Sequence, residues 1–302
     1  MNYAVVDLGS NTVRLSVYKA LENGSFKLLL TQKETAGLVG YISDGSMSKE
    51  GICKICSILS GFKEILGLFG INEMNVFATA PLRNISNTDE AVEAVNRKAS
   101  VRVDVLSGKE EAELGYYGAV TKVDFSNGVF FDIGGGSTET LSVMGGILHK
   151  AGSFPIGSLN LFEKFTSGLW PTDQELSSMT GYLESAMEKE DIPLYSSKRM
   201  CGIGGTARAF LKIANAYLQK PPKNRVLTIE DFACVRDMLY KRDQTAKKLI
   251  LQKCPDRVHT IIPGTVIMSA LVSRLCQNEI LISSNGVREG YLCKKLMSRN
   301  TI

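Results

Sequence analysis

The chain has 302 residues, which is enough for two domains of ordinary size, each with its own hydrophobic core. Its 44% hydrophobic and 22% charged residues are typical of a globular protein and exclude a disordered or fibrous chain. The net charge of +4 comes without long runs of Lys or Arg, so nucleic acid is not an expected partner. No apolar run reaches the roughly 18–20 residues of a membrane helix, so a membrane is not an expected partner either.

The first half of the chain has the pattern of strands alternating with helices. Three strands come first, with a turn at Asn23–Gly24 between the second and the third. Ser48 is a suitable N-cap for the helix that follows, because apolar residues continue from it at helical spacing. The predicted strands are 3–7, 13–19, 26–33, 74–79 and 101–106, and the predicted helices are 48–69, 88–98 and 109–121.

The second half repeats this order. Three strands again come first, with a turn at Gly145–Gly146, and Pro263–Gly264 predicts a break in a helix over 258–276. The other predicted strands are 128–132, 138–143, 147–152, 198–202 and 279–282, and the other predicted helices are 157–165, 172–188, 205–219, 229–240, 244–252 and 288–298.

Strands that alternate with helices predict mixed sheets covered by helices, so we expect an α/β protein. The two halves predict two lobes with a cleft between them, one over 1–122 and one over 123–287. The pattern is interrupted near 122–127, without a linker, so we expect the lobes to pack closely. The last helix, over 288–302, is expected to pack back on the first lobe.

Two segments at the start of the halves align with each other. VVDLGSNT (5–12) and FFDIGGGS (130–137) both have an apolar run, an Asp, an apolar residue and then small residues with hydroxyls. Backbone amides of such loops approach an anion closely, and a preceding Asp suits a Mg²⁺ that bridges to phosphate oxygens. The alternative is two tight turns whose Asp side chains only cap the backbone. The pairing favours a phosphate chain held from both sides, by Gly9, Ser10, Asn11, Thr12, Gly134, Gly135, Gly136 and Ser137, with Asp7 and Asp132 beside the metal.

A third glycine cluster, CGIGGTAR (201–208), lies between a predicted strand and a predicted helix. It fits a dinucleotide-binding fingerprint only formally, because no second strand follows the helix directly. A helix N-terminus that serves as an anion site is the better interpretation, with Gly204, Gly205 and Thr206 as further phosphate-binding candidates. The chain has no P-loop motif.

The candidate catalytic base lies in LSGKEEAELGYYGA (106–119), where Glu110, Glu111 and Glu113 crowd the start of a helix. Acidic residues at this position are also favoured by the helix dipole alone. Arg83 follows a strand at the end where α/β sheets bind ligands. Arg288 and Glu289 are interpreted as a structural ion pair, and no Ser/His/Asp or Cys/His arrangement emerges.

The seven cysteines show no metal-ligand spacing, in a chain too long to need disulfides. We therefore expect reduced thiols in a cytoplasmic protein, and MNYAVVDLGS at the start has no basic leader or cleavage site. Cys53 and Cys56 form a C-x-x-C within a helical pattern, so core packing is expected rather than redox chemistry.

The chain resembles the exopolyphosphatase and guanosine-pentaphosphate phosphohydrolase family, of the actin, Hsp70 and sugar-kinase superfamily. The resemblance rests on segments that occur in the family's order and cover essentially the whole chain: DLGSNTVRL, ATAPLRN, SGKEEAELGYYG, DIGGGSTE, GIGGTAR, IIPG and NGVREG. It implies two ribonuclease H-like lobes with the active site in the cleft between them. The implied reaction is release of terminal orthophosphate from inorganic polyphosphate with Mg²⁺ as cofactor.

Matched residue by residue, Glu111 takes the place of the family's catalytic carboxylate, which orients or deprotonates the attacking water. Asp7 and Asp132 match acidic residues near Mg²⁺ and the scissile phosphoryl group, and Glu139 matches an acidic position behind them. Arg83 matches a phosphate-binding arginine. The resemblance therefore predicts Glu111, Asp132 and Arg83 as catalytic residues and Asp7, Asp132 and Glu139 as metal-binding residues.

The sequence departs from the family in two respects. Asn160 stands in PIGSLN (155–160) where many members have an Arg, which removes a positive charge from the expected substrate path. The chain also ends where the two lobes end, without the extra helical domains of longer relatives, which predicts a weak processive grip on long polyphosphate.

Other functions remain open from the sequence. Guanosine pentaphosphate is an alternative substrate, and a kinase or ATPase of the same superfamily is an alternative enzyme. A non-catalytic alarmone sensor and a filament-forming protein are non-enzymatic alternatives. Family precedent suggests a homodimer.

Overall fold

The two halves of the sequence form two sheets, each flanked by helices, in a computed structural model that describes residues 1–189 and 197–298. The first half has strands β1 (Asn2–Leu8), β2 (Thr12–Ala20), β3 (Phe26–Thr35), β4 (Ile42–Ser43), β5 (Ser46–Met47), β6 (Met74–Ala78) and β7 (Val103–Val105), with helices α1 (Lys49–Leu68), α2 (Ala80–Arg83), α3 (Thr88–Ala99) and α4 (Gly108–Ala119). Its main sheet has the order β3-β2-β1-β6-β7, and β1, β6 and β7 run parallel.

The main sheet of the second half has the same arrangement with one more strand. Its strands are β8 (Gly128–Ile133), β9 (Thr138–Met144), β10 (Ile147–Phe154), β11 (Ser197–Ile203), β12 (Val226–Thr228) and β13 (Cys276–Ile282), and its helices are α5 (Ser158–Phe165), α6 (Asp173–Lys189), α7 (Gly204–Tyr217), α8 (Ile229–Lys241), α9 (Gln244–Lys253), α10 (Ile261–Leu275) and α11 (Val287–Tyr291). The sheet order is β10-β9-β8-β11-β13-β12, so its first five strands repeat the topology of the first sheet. This duplication confirms the expected α/β fold of two related lobes.

The elements expected from the sequence are present, with a few corrections. The short helix α2 and the edge strand β12 were not predicted. The expected break at Pro263–Gly264 is wrong, because Pro263 lies in the first turn of α10, where its missing N–H removes no helical hydrogen bond. Cys53 is exposed and Cys56 half-buried on α1, so the expected core packing is wrong for Cys53.

The N-caps follow the sequence signals. Ser48 Oγ accepts a hydrogen bond from Gly51 N at the start of α1, as predicted. Ser107 and Glu110 form a capping box at the start of α4, which satisfies free backbone amides there. No helix within the described residues is long and apolar enough to cross a membrane.

Helices α4 and α11 lie between the two sheets. Ala112 and Tyr116 of α4 pack with Phe130 of the second sheet, whereas Tyr291 at the end of α11 packs with Phe77 of the first. A π-helical segment, Leu292–Met297, continues α11 and adds apolar contacts to the first sheet. Residues 299–302 of the expected last helix lie outside the described residues. The packing of these two helices fixes how the ends of the two sheets face each other.

The two central helices cross at glycines. A Cβ atom at Gly118 of α4 would overlap with the backbone carbonyl of Gly286, and one at Gly290 of α11 would overlap with the carbonyl of Leu114. Neither helix can move away without separating from the sheet it packs on. The close approach therefore requires glycine at both positions.

Gly118→Ala is expected to lower the free energy of unfolding by about 1–3 kcal/mol, because the added methyl group forces the helices apart. Gly61→Ala is the matched control, since Gly61 lies within α1 and a Cβ there meets nothing within 4 Å. That control should be more stable by about 0.5–1 kcal/mol. Urea unfolding of the three proteins measures both effects, and equal stability of Gly118→Ala and wild type would contradict the packing.

Candidate active site

The two loops that align in the sequence have the same local geometry. Gly9 N donates to Thr12 O at 3.1 Å, and Gly134 N donates to Ser137 O at 2.9 Å. Each loop joins the first two antiparallel strands of its sheet and follows an Asp at the end of the first strand. The sequence repeat is therefore a structural repeat.

The two loops also face each other across the lobes. Gly135 and Gly136 lie so close to Ser10 that a side chain at Gly136 would overlap with Ser10 Oγ. Glycines in the second loop are needed for this approach as well as for any approach of a ligand to the backbone.

The cleft beside these loops is lined by residues from both lobes. Its predicted members are Asp7, Gly9, Ser10, Asn11, Thr12, Glu111, Asp132, Gly134, Gly135, Gly204 and Gly205. Five predicted residues lie elsewhere, namely Arg83, Gly136, Ser137, Glu139 and Thr206. Thr206 Oγ1 donates to Ile133 O at 3.0 Å, so its hydroxyl fixes the start of α7 to β8.

Asp7 and Asp132 lie at equivalent positions in the two lobes, and both are half-buried and line the cleft. Burial raises the pKa of Asp132 to about 7, and the nearby charge of Glu139 adds to this rise. Burial also raises the pKa of Asp7, although Arg288 and Arg14 oppose it. Both carboxyl groups therefore ionise less readily than in water, because the positive charge of their neighbours does not offset the desolvation.

Four arginines line the same cleft: Arg14, Arg208, Arg257 and Arg288. Burial lowers the pKa of Arg208 to about 10, and repulsion by Arg288 contributes. Burial and repulsion by Arg288 also lower the pKa of Arg14. Within the described ranges, none of the four has a carboxylate within ion-pair distance. Positive charge is therefore concentrated in the cleft without a matching number of ionised carboxylates.

Arg288 and Glu289 do not form the expected ion pair but have separate partners. Arg288 donates to Ser16 Oγ at 3.1 Å and lines the cleft. Glu289 accepts hydrogen bonds from Tyr18 at 2.5 Å and from Gly286 N at 2.8 Å, which anchors α11 to β2. The interpretation of this dipeptide from sequence was wrong.

Sequence reasoning gave no role to Arg14, Arg208, Arg257 or Thr260, all of which line the cleft. Arg14 could have been found, because a hairpin after Asp7 places it directly opposite Asp7 on β2. Arg208 lies one helical turn after Gly204 and thus near the anion site expected there. Arg257 and Thr260 had no local signal, because the folding of the whole second lobe brings them to the cleft.

Glu111 lies at the wall of the cleft in the first turn of α4, and 8% of its surface is exposed. Arg83 Nη1 donates to Glu111 Oε2 at 2.5 Å, and Arg83 Nη2 donates to Glu139 Oε1 at 3.1 Å. Burial raises the pKa of Glu111 well above its ordinary value; the charge of Glu139 adds to this and Arg83 opposes it. A carboxylate with a raised pKa is a stronger base than a free one, which suits proton transfer.

Asn160 supports the second loop. Its Nδ2 donates to Gly136 O at 3.1 Å and to Pro155 O at 3.0 Å, and its Oδ1 accepts from Gly157 N at 2.7 Å. The amide therefore joins the start of α5 to the glycine loop.

The sequence of the chain matches the Ppx/GppA phosphatase family over residues 17–299. The chain belongs to this family. Among curated relatives, Exopolyphosphatase 1 of Mycobacterium leprae is 24% identical over 99% of this chain and 90% of its own length. The membership confirms the resemblance seen in the sequence and the prediction of an enzyme that hydrolyses phosphoanhydrides.

Solved structures of family members have the same fold. An exopolyphosphatase from Cytophaga hutchinsonii aligns with a TM-score of 0.85 and 21% identity, over 99% of this chain and 98% of that chain. The Aquifex aeolicus family member aligns with a TM-score of 0.80 and 23% identity, over 100% of this chain and 99% of that chain. At these identities the likeness establishes the fold.

The residues of this Ppx/GppA member do not form a complete metal cage by themselves. No group of three or more His, Cys, Asp and Glu side chains within residues 1–189 and 197–298 is arranged to hold a metal. Asp7 and Asp132 both face the cleft, whereas Glu139 is paired with Arg83. Because Mg²⁺ is commonly held by one or two carboxylates together with substrate phosphates and waters, the two aspartates fit that ion.

The raised pKa of Asp132 predicts an unusual pH dependence of stability. An Asp in the unfolded chain titrates near pH 3.9, whereas the pKa of Asp132 in the folded protein is about 7. Between these values the folded state keeps a proton that the unfolded state loses, so the free energy of unfolding falls as the pH rises and levels off above about 7. We expect this dependence to be weaker in Asp132→Asn.

Urea unfolding at pH 5, 6 and 7 with a chelator measures this effect. Asp124→Asn, at an exposed position of the same lobe, is the control and should keep the wild-type pH dependence. A wild-type stability that rises between pH 5 and 7, or an Asp132→Asn variant with an unchanged slope, would contradict the burial of this carboxyl group.

Proposed function

We propose that the protein is an exopolyphosphatase that releases terminal orthophosphate from inorganic polyphosphate. The observation that carries the proposal is the single cleft in which a buried carboxyl group, Glu111, faces two glycine loops and four arginines. The loops offer backbone amides to phosphate oxygens, and the arginines offer the countercharge that a polyanion needs. The name of the mycobacterial relative, Exopolyphosphatase 1, agrees with this substrate.

Catalysis would be an in-line displacement at the terminal phosphoryl group. Glu111 accepts a proton from a water molecule, whose oxygen attacks phosphorus while the anhydride bond to the rest of the chain breaks. The leaving chain takes the bonding electron pair, and orthophosphate departs. Asp7 and Asp132 would hold Mg²⁺, which supplies positive charge to the phosphate oxygens.

The cleft arginines would bind and orient the anionic chain. Phosphoryl transfer depends mainly on positioning and on stabilising the charge of the transition state, rather than on covalent chemistry by the protein. Arg208 lies one turn into α7, Arg288 lies at the start of α11, and Arg14 comes from β2. Residues from both lobes would therefore bind the same substrate.

Guanosine pentaphosphate remains the second candidate substrate, because its terminal phosphoryl group presents the same chemistry. Cytoplasmic location and a homodimer also remain expectations, the first from the cysteine content and the second from family precedent.

Glu111→Gln should reduce orthophosphate release by about 10²–10⁴-fold, because the amide cannot accept the proton. Glu113→Gln is the control, since Glu113 is on the same helix but does not line the cleft. Binding of inorganic tripolyphosphate to Glu111→Gln should persist, as measured by calorimetry without divalent metal. Full activity of Glu111→Gln would contradict the proposed role of Glu111.

Arg257→Met should raise the KM for tripolyphosphate about tenfold or more, because a charge-assisted contact contributes about 1.5–3 kcal/mol. Initial rates at increasing substrate concentration measure this effect. Arg242→Met, in an ion pair with Asp173 outside the cleft, is the control and should keep the wild-type KM. An unchanged KM in Arg257→Met would exclude this arginine from substrate binding.

A further inference from the structure

The guanidinium of Arg83 is fully occupied by protein groups. Nε donates to Asn84 Oδ1 at 3.2 Å. Nη1 donates to Glu111 Oε2 at 2.5 Å and to Leu106 O at 3.2 Å. Nη2 donates to Glu139 Oε1 at 3.1 Å, with Ser137 Oγ at 3.3 Å and Ser153 Oγ at 3.5 Å. Since an arginine has five N–H groups, none is left for a phosphate oxygen.

Glu139 is similarly enclosed. It is 1% exposed, and its Oε1 accepts hydrogen bonds from Arg83 and, at 2.9 Å, from Ser153 Oγ. Neither Glu139 nor Arg83 lines the cleft, whereas Glu111 does. Seen from the cleft, the two residues therefore lie behind Glu111.

The structural repeat shows why Glu139 needs such a partner. Glu139 lies opposite Asp132 in the hairpin of the second lobe, as Arg14 lies opposite Asp7 in the first. One lobe thus has a cation at this position and the other an anion, beside a cleft suited to polyanions. An unpaired buried carboxylate there would be costly and would repel the substrate. Arg83 neutralises Glu139 through Nη2 and holds Glu111 through Nη1.

We propose that Arg83 and Glu139 are positioning residues that together hold the Glu111 carboxyl group toward the cleft, and that neither contacts phosphate or metal. This inference rests on the proposed function and changes two roles that the family resemblance implies. Arg83 belongs to the first lobe and Glu139 to the second, so the pair forms only when the lobes are in the observed arrangement. Orientation of Glu111 is thereby tied to closure of the cleft.

The first test separates positioning from phosphate binding by the split between kcat and KM. Arg83→Lys keeps the charge but cannot donate to both carboxylates in a fork, so kcat with tripolyphosphate should fall about 10–100-fold. KM should stay within about twofold of wild type, because no substrate contact is lost. A KM raised about tenfold would overturn the inference.

The second test separates positioning from metal binding. Glu139→Gln should lower kcat while the Mg²⁺ concentration that gives half-maximal activity stays unchanged. A metal-ligand role would instead raise that concentration by about 10–100-fold, which would overturn the inference. The double variant Arg83→Lys/Glu139→Gln should be no slower than the slower single variant, because the two residues act as a unit.

Matched controls and a milder variant make the result independent of folding defects. Arg199→Lys and Glu279→Gln change an ion pair of 2.6 Å between β11 and β13, away from the cleft, and should leave kcat and KM unchanged. Ser153→Ala removes the hydrogen bond to Glu139 and the long one from Arg83, leaves both charged groups in place, and should lower kcat severalfold at unchanged KM. A Ser153→Ala variant with a raised KM would count against the inference.

A binding measurement keeps this inference separate from the proposed function. Calorimetric titration with tripolyphosphate in the absence of divalent metal requires no turnover. Wild type and Arg83→Lys should bind with dissociation constants within about threefold of each other, whereas a loss of about tenfold or more would show that Arg83 contacts phosphate. Absence of orthophosphate release by wild type would contradict the proposed function. The dissociation constants of wild type and Arg83→Lys could still be compared, because their measurement requires no turnover.

Discussion

Excess positive charge in one cleft is the constraint on which the rest of this structure depends. Four guanidiniums line a space in which desolvation raises the pKa of the carboxyl groups. Such an arrangement is unfavourable without a ligand, since like charges at low dielectric repel strongly. Under the proposed function, a polyanion would relieve that repulsion, and the amides of the two glycine loops would donate hydrogen bonds to its oxygens. The free protein would then be less stable than the protein with its substrate bound.

The duplicated fold explains how such a cleft is built. Each lobe contributes an Asp at a strand end and a glycine loop with the same internal hydrogen bond, and the two copies face each other. The copies differ at the position opposite this Asp, which is Arg14 in the first lobe and Glu139 in the second. That difference creates a cationic side and an acidic side, and Arg83 crosses between the lobes to neutralise the acidic one.

Local patterns in the sequence were enough for most of the fold and for part of the site. The paired Asp-glycine segments and the acidic start of α4 pointed to Asp7, Asp132 and Glu111. Each of these signals is formed by residues that are neighbours in the sequence. Contacts that depend on the tertiary structure were not predicted. Arg257 lies in a short 3-10 turn (Pro255–Arg257) between α9 and α10, and the donors of Arg83 meet partners from α4, β9 and β10. The direction of a side chain at such a position depends on how the two lobes pack, so no periodic pattern in the sequence indicates it.

The most direct test of the account is orthophosphate release in Mg²⁺ from short polyphosphate, long polyphosphate, guanosine pentaphosphate and ATP, measured in parallel with one preparation. Inorganic polyphosphate should be hydrolysed faster than ATP, because the cleft offers arginines and backbone amides to a chain of phosphoryl groups. ATP turnover equal to that of polyphosphate would point to a nucleotide-dependent enzyme. Release from none of the four would contradict the central claim.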